Sequence, residues 1–210
     1  MIINLIDSRS GTLRSDAWEA SAPVQHVARI VAGKEEPLNN VVRRVIQQSE
    51  GNRSIWLLRI MAHGNSGFLQ LGGDFLTQFN CHEFAALAGL FTPGGIGVAL
   101  HSCGPASDTS ICRDPEGVIE RLTTGKKECI TVPGRLAAGG GRGVAFLLEL
   151  ARMTRVPVRG GLNLQVPDPR FSYEGPSVVV ACDGRIVAVP DWGRLALDTT
   201  RIIASRRQAA

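Results

Sequence analysis

At 210 residues the chain has room for one domain with a full hydrophobic core, and its 44% apolar content places it among folded globular proteins. Its net charge of +4 is spread thinly, gathers only in the tail from Arg201 to Arg207 and lacks interleaved aromatics, which argues against a nucleic-acid-binding module. No apolar stretch approaches membrane-spanning length. The five cysteines (Cys81, Cys103, Cys112, Cys129, Cys182), odd in number and without CxxC spacing, suit a reduced, cytoplasmic protein rather than a disulfide scaffold.

The N-terminal run Met1-Ile-Ile-Asn-Leu-Ile-Asp7 has no basic leader and reads as a first strand over 2–7. The polar stretch to about Leu38 holds two candidate helical segments, around Trp18 and over Val24 to Val31. Apolar residues at 41, 42, 45 and 46 predict a helix from Asn39 to Gln48 with Asn40 as its cap. A turn over Glu50 to Ser54 leads to a strand over 55–62, parallel to the first across a helical crossover.

After His63 to Gly67, the alternating Phe68-Leu-Gln-Leu71 reads as a small hairpin strand at the sheet's edge. Asn80 to Phe91 carries the clearest helix signal: Asn80 at the cap, Glu83 three residues on, and apolar positions 84, 87, 88 and 91. Thr92 to Gly95 ends it, and Ile96 to Leu100 is a strand delivering His101, Ser102 and Cys103. The segment from Gly104 to Gly141 shows no core strand and one short helix over Pro115 to Thr124; its position after Cys103 suits a cleft-lining insertion. A helix over Arg142 to Thr154, a strand over Val156 to Val158 and a hairpin turning at Asp183-Gly184 complete a single domain over 1–210.

Chemistry concentrates where two apolar runs end. Ile55 to Ala62 runs into His63-Gly64, and Gly97 to Ser102 runs into Cys103-Gly104. Parallel neighbouring strands would bring both side chains to the carboxyl edge of one sheet, where open α/β sheets bind ligands. A thiol becomes a nucleophile on modest loss of its proton, and an imidazole can take that proton and return it to a leaving amine. The backbone N–H groups of Gly64 and Cys103 are the candidate oxyanion donors. Two rival groupings are weaker. His63, His82, His101 and Cys103 are zinc-type ligands without a zinc-type spacing, so no metal or other cofactor is expected. Gly139 to Gly143 precedes a helix but misses the phosphate-loop register.

The stretches Leu58 to Gly72, Phe84 to Phe91, Val98 to Ser107 and Gly143 to Val158 together resemble the caspase-like (clan CD) cysteine peptidases. The similarity is to a bacterial branch with His-Gly, a Gly-x-Leu-x-Leu-Gly hairpin and a strand-end Cys, and it covers about half the chain. The resemblance implies an α/β, caspase-hemoglobinase-like three-layer sandwich with a mostly parallel central sheet. It further implies a thiol protease, in which a Cys103/His63 dyad hydrolyses peptide bonds through a thioester. Ser8-Arg9-Ser10-Gly11-Thr12 is similar to the loop in which animal caspases hold a P1 aspartate, which makes Arg9 a substrate-binding candidate. His101, two before the Cys where relatives place an acid or an amide, and Arg170 are the others. Relatives are often matured by cutting the linker after the Cys, which here holds Lys126, Lys127 and Arg135. The implied partners are a protein or peptide substrate and a regulatory protein, with neither nucleic acid nor membrane. The alternative is a catalytically inactive caspase-like binding or assembly module.

Overall fold

A computed structural model describes residues 1–10, 27–50, 55–107, 143–162, 173 and 177–189. In chain order these form β1 (Ile2–Asp7), β2 (Val27–Ala32), α1 (Leu38–Glu50), β3 (Leu57–Met61), β4 (His63–Asn65), β5 (Phe68–Leu71) and β6 (Asp74–Thr77). A 3-10 helix (Cys81–Leu87), β7 (Gly97–His101), α2 (Gly143–Thr154), β8 (Val158–Gly161), β9 (Ser177–Val180) and β10 (Ile186–Val189) follow. The expected helices near Trp18 and over Pro115 to Thr124 lie outside the described residues.

The fold is α/β. Its central sheet has seven strands in the order β10-β9-β8-β7-β3-β1-β2. From β8 to β2 all neighbours are parallel, and β9 and β10 extend the sheet antiparallel. Short, nearly all-apolar runs favour this arrangement, because strands covered on both faces cannot afford alternating polar residues. One face carries Ile3, Leu5, Leu58, Ile60, Val98, Leu100, Val158, Val178 and Val180 into the main core. Against it α1 buries Leu38, Val41, Val42 and Val45, a one-sided helical stripe, while α2 buries Val144, Phe146, Leu147, Leu150 and Ala151. Each such Val, Leu, Ile or Phe side chain contributes about 1.5–3 kcal/mol by leaving water.

Several expectations are corrected. Of the segment 24–31, read as helical, the described residues from Val27 on belong to the edge strand β2, paired with β1 from Ile2↔Val27 to Asp7↔Ala32. Short apolar runs fit either period, and here the free edge of β1 decides; α1 therefore links β2 to β3 and passes over β1. The hairpin at 68–71 does not join the main sheet. It is the middle strand of a separate antiparallel sheet, β4-β5-β6, whose turns need left-handed glycines at Gly67 (φ 75) and Gly72 (φ 66).

The long helix expected from Asn80 is a short 3-10 helix. Its buried residues, Cys81, Phe84 and Leu87, recur every three residues, the period of that helix. Asn80 makes no cap bond; its Oδ1 accepts from the Thr77 N–H at 2.7 Å and its Nδ2 donates to the Phe75 carbonyl at 2.7 Å. Asn40 does not cap α1 either. That helix starts at Leu38, whose N–H donates to Asp74 Oδ2 at 3.0 Å.

Candidate active site

The strands β3 and β7 are parallel neighbours with Met61 opposite His101. His63 and Cys103 each lie two residues further along, so both stand at the carboxyl edge of adjacent strands. His63 opens β4 and is exposed, while Cys103 is a half-buried thiol. Gly104 turns the chain sharply after it with φ 50.

The loops that carry these residues are tied together. A Cβ on Gly64 would stand 2.0 Å from Ser102 Oγ and 2.7 Å from the Phe68 carbonyl, so the backbone at Gly64 presses directly on the residue before Cys103. Further out, the Gly67 N–H donates to the Pro105 carbonyl at 3.2 Å, and Ser66 Oγ donates to the Ser107 carbonyl. The start of α2 locks the far side of the Cys loop. Gly143 N–H donates to the Ser107 carbonyl at 3.1 Å, and a Cβ on Gly143 would come within 2.2 Å of the Ala106 backbone. Ser102 Oγ is buried with no hydrogen-bond partner among the described residues.

The next strand over, β1, ends in Asp7, which is buried and already committed. Its Oδ1 accepts from Arg9 Nε at 2.8 Å and from the Arg9 N–H at 2.9 Å. Its Oδ2 accepts from Arg9 Nη2 at 2.8 Å and from the Gly72 N–H at 2.8 Å. Burial opposes the charge, but the hydrogen bonds from Arg9 and Gly72 outweigh it and hold the carboxyl below its ordinary value. Arg9 Nη2 also donates to the Gly72 carbonyl. The forked edge of Arg9 expected to grip a substrate carboxylate is thus engaged by Asp7. Among the described residues no hydrogen bond holds the His63 imidazole.

His101 is half-buried and stacks on Tyr173, with ring centroids 4.8 Å apart and planes 22° apart. The Arg159 guanidinium lies 4.4 Å from the centroid of the same ring. Burial pushes the Tyr173 phenol up to about 12, with Arg159 and Arg59 acting in the opposite direction. Arg170 lies outside the described residues, as do Lys126, Lys127, Arg135, Cys112 and Cys129.

Arg159 itself was missed by sequence reasoning. It is 3% exposed, Nε donates to Ser177 Oγ at 3.0 Å, and Nη1 and Nη2 have no hydrogen-bond partner among the described residues. It belongs to a cross-strand row: Arg29 faces Asn4, Asn4 faces Arg59, Arg59 faces Ala99 and Ala99 faces Arg159. Burial lowers Arg59 to about 10 and lowers Arg159 as well. The signal was present, since each of these strands but β7 carries one polar residue within an apolar run. Among the described residues, no three His, Cys, Asp or Glu side chains gather as metal ligands, and no helix is long and apolar enough to cross a membrane. No family model, curated protein or solved structure matches this chain.

Proposed function

We propose that the chain is a caspase-like cysteine endopeptidase, with the finer fold of a caspase-hemoglobinase-like three-layer sandwich. The observation that carries this reading is the shared edge: His63 and Cys103 at equivalent positions beyond paired strands, with Gly64 packed on Ser102. An exposed imidazole and a half-buried thiol at one sheet edge suit access by a peptide.

In the proposed reaction the Cys103 thiol gives its proton to His63, and Sγ attacks the scissile carbonyl carbon. The electron pair of the C=O moves to oxygen, where the N–H groups of Gly64 and Cys103 are the candidate donors. Collapse breaks the C–N bond, and the leaving nitrogen takes the proton from His63. Water then adds to the thioester, losing its proton to His63. The C–S bond breaks, the acid is released, and the proton returns to sulfur. His101 stays a candidate for reading the residue before the scissile bond, because it is two residues from Cys103 on the same strand end.

A proteome-wide cleavage profile of the native chain against Cys103→Ala and His63→Ala tests the reading. Cleavages that vanish in both variants are expected; an identical profile in all three chains refutes it. The second reading, a catalytically silent binding module, draws on the absence, among the described residues, of a hydrogen bond to the His63 imidazole. It predicts that a thiol-alkylating probe labels Cys103 at the same rate with and without His63.

A further inference from the structure

Among the described residues only two large apolar side chains are strongly exposed, Phe75 at 43% and Phe79 at 63%. Phe75 lies on β6 and Phe79 stands two residues beyond the end of that strand. Register aligns His63 with Gln70 and Gln70 with Phe75, so imidazole, amide and phenyl ring form one row across the small sheet. Phe68 and Thr77 form the next row on that face, opposite Asn65, and Phe68 meets Phe75 edge-on at 5.6 Å between centroids. The other face holds Leu69 and Leu76, both fully buried in the main core. The outward face therefore carries no Asp, Glu, Lys or Arg in either row. It is also firmly held: Asn80 bonds the backbone of both Phe75 and Thr77.

We propose that this aromatic shelf binds a large apolar side chain on the leaving-group side of a peptide substrate. The inference rests on the peptidase reading, and it names a specificity that reading leaves open. His63 returns its proton to the departing nitrogen, so the chain beyond that nitrogen leaves past the imidazole and over the sheet that bears it. Phe75 is two strands from His63, about 10 Å at ordinary strand spacing, and an extended peptide advances about 3.3 Å per residue. The shelf thus meets the second or third residue after the scissile bond. Rings kept exposed beside a reactive site, on a face without charge, suit an apolar residue and disfavour a charged one.

Internally quenched peptides differing only in Phe, Gly or Glu at those two positions test the proposal with the native chain, Phe75→Ser and Phe75→Leu. Native kcat/KM is expected to favour Phe over Gly by about tenfold, the worth of partly covering one aromatic side chain. Phe75→Ser brings that ratio close to one, and Phe75→Leu restores most of it. Cleavage that depends on Cys103 but ignores these positions, or a preference unchanged in Phe75→Ser, overturns the inference and leaves the peptidase reading standing. A dimer that Phe75→Ser dissolves, without any such preference, overturns it in favour of a second copy on the shelf. Absence of any Cys103-dependent cleavage overturns both.

Discussion

Substituting Gly64 with Ala tests the contact on which the candidate site is built. The new Cβ would meet Ser102 Oγ at 2.0 Å, the Phe68 carbonyl at 2.7 Å and Leu69 Cδ2 at 3.1 Å. A serine hydroxyl can rotate away, but the Phe68 carbonyl belongs to the backbone of β5 and cannot yield without moving the hairpin. Overpacking of this kind costs about 1–3 kcal/mol, and a backbone obstacle places this case in the upper half of the range. For a chain of this size each kcal/mol lowers Tm by roughly 2–4 °C. The same displacement moves His63 relative to Cys103, and in the proposed reaction a shift of about 1 Å at a reacting group would lower the rate by about 100-fold. Urea unfolding at constant m-value reads the first effect, and the alkylation rate of Cys103 well below the unfolding midpoint reads the second. Adding Ser102→Ala removes only the nearer obstacle, so it recovers part of the stability and little of the reactivity. A Gly64→Ala chain with native midpoint and native thiol reactivity would refute the close approach of the two loops.

Asp7→Asn removes the charge from a buried carboxylate that accepts from Arg9 and Gly72. Lost charge-assisted hydrogen bonding costs about 2–3 kcal/mol, discounted for the partial exposure of Arg9. Because the folded-state value is lowered, this stabilisation is full above the unfolded carboxyl value of about 4 and is lost as pH falls further. The variant should accordingly show a flatter acid limb in pH-dependent unfolding, and an unchanged limb would count against the pairing. Tyr173 is the chain's single tyrosine, so its phenolate absorbance titrates without overlap. In the folded protein it should ionise near 12 rather than at the ordinary value of about 10, with stability falling as pH rises across that interval; ionisation at the ordinary value in the folded chain would refute its burial. Cys81 is fully buried, its Sγ donates to the Thr77 carbonyl at 3.0 Å, and burial raises its pKa. Peptide mapping after brief alkylation of the native chain should find Cys103 modified and Cys81 protected, and the reverse order would overturn the assignment of which thiol is accessible.

Much of the fold was legible residue by residue. Ile2–Asp7, Leu57–Met61 and Gly97–His101 are apolar runs bounded by turn residues, and α1 and α2 carry one-sided apolar stripes. The joint placement of His63 and Cys103 could be read because each ends such a run, and a strand's last residue reports which edge of the sheet it reaches. Burial and periodicity are properties of a single segment, so they survive in the sequence.

Partner choice does not survive there. Whether Val27–Ala32 is helix or strand depended on the open edge of β1, and whether Phe68–Leu71 joined the main sheet depended on turns forced by Gly67 and Gly72. The row from Arg29 to Arg159 arises from register between strands distant in sequence, and the line from His63 to Phe75 from register across two successive turns. Register is decided by contacts across the sheet, which form only once the chain has collapsed, and a side chain's hydrogen-bond partners are settled with it.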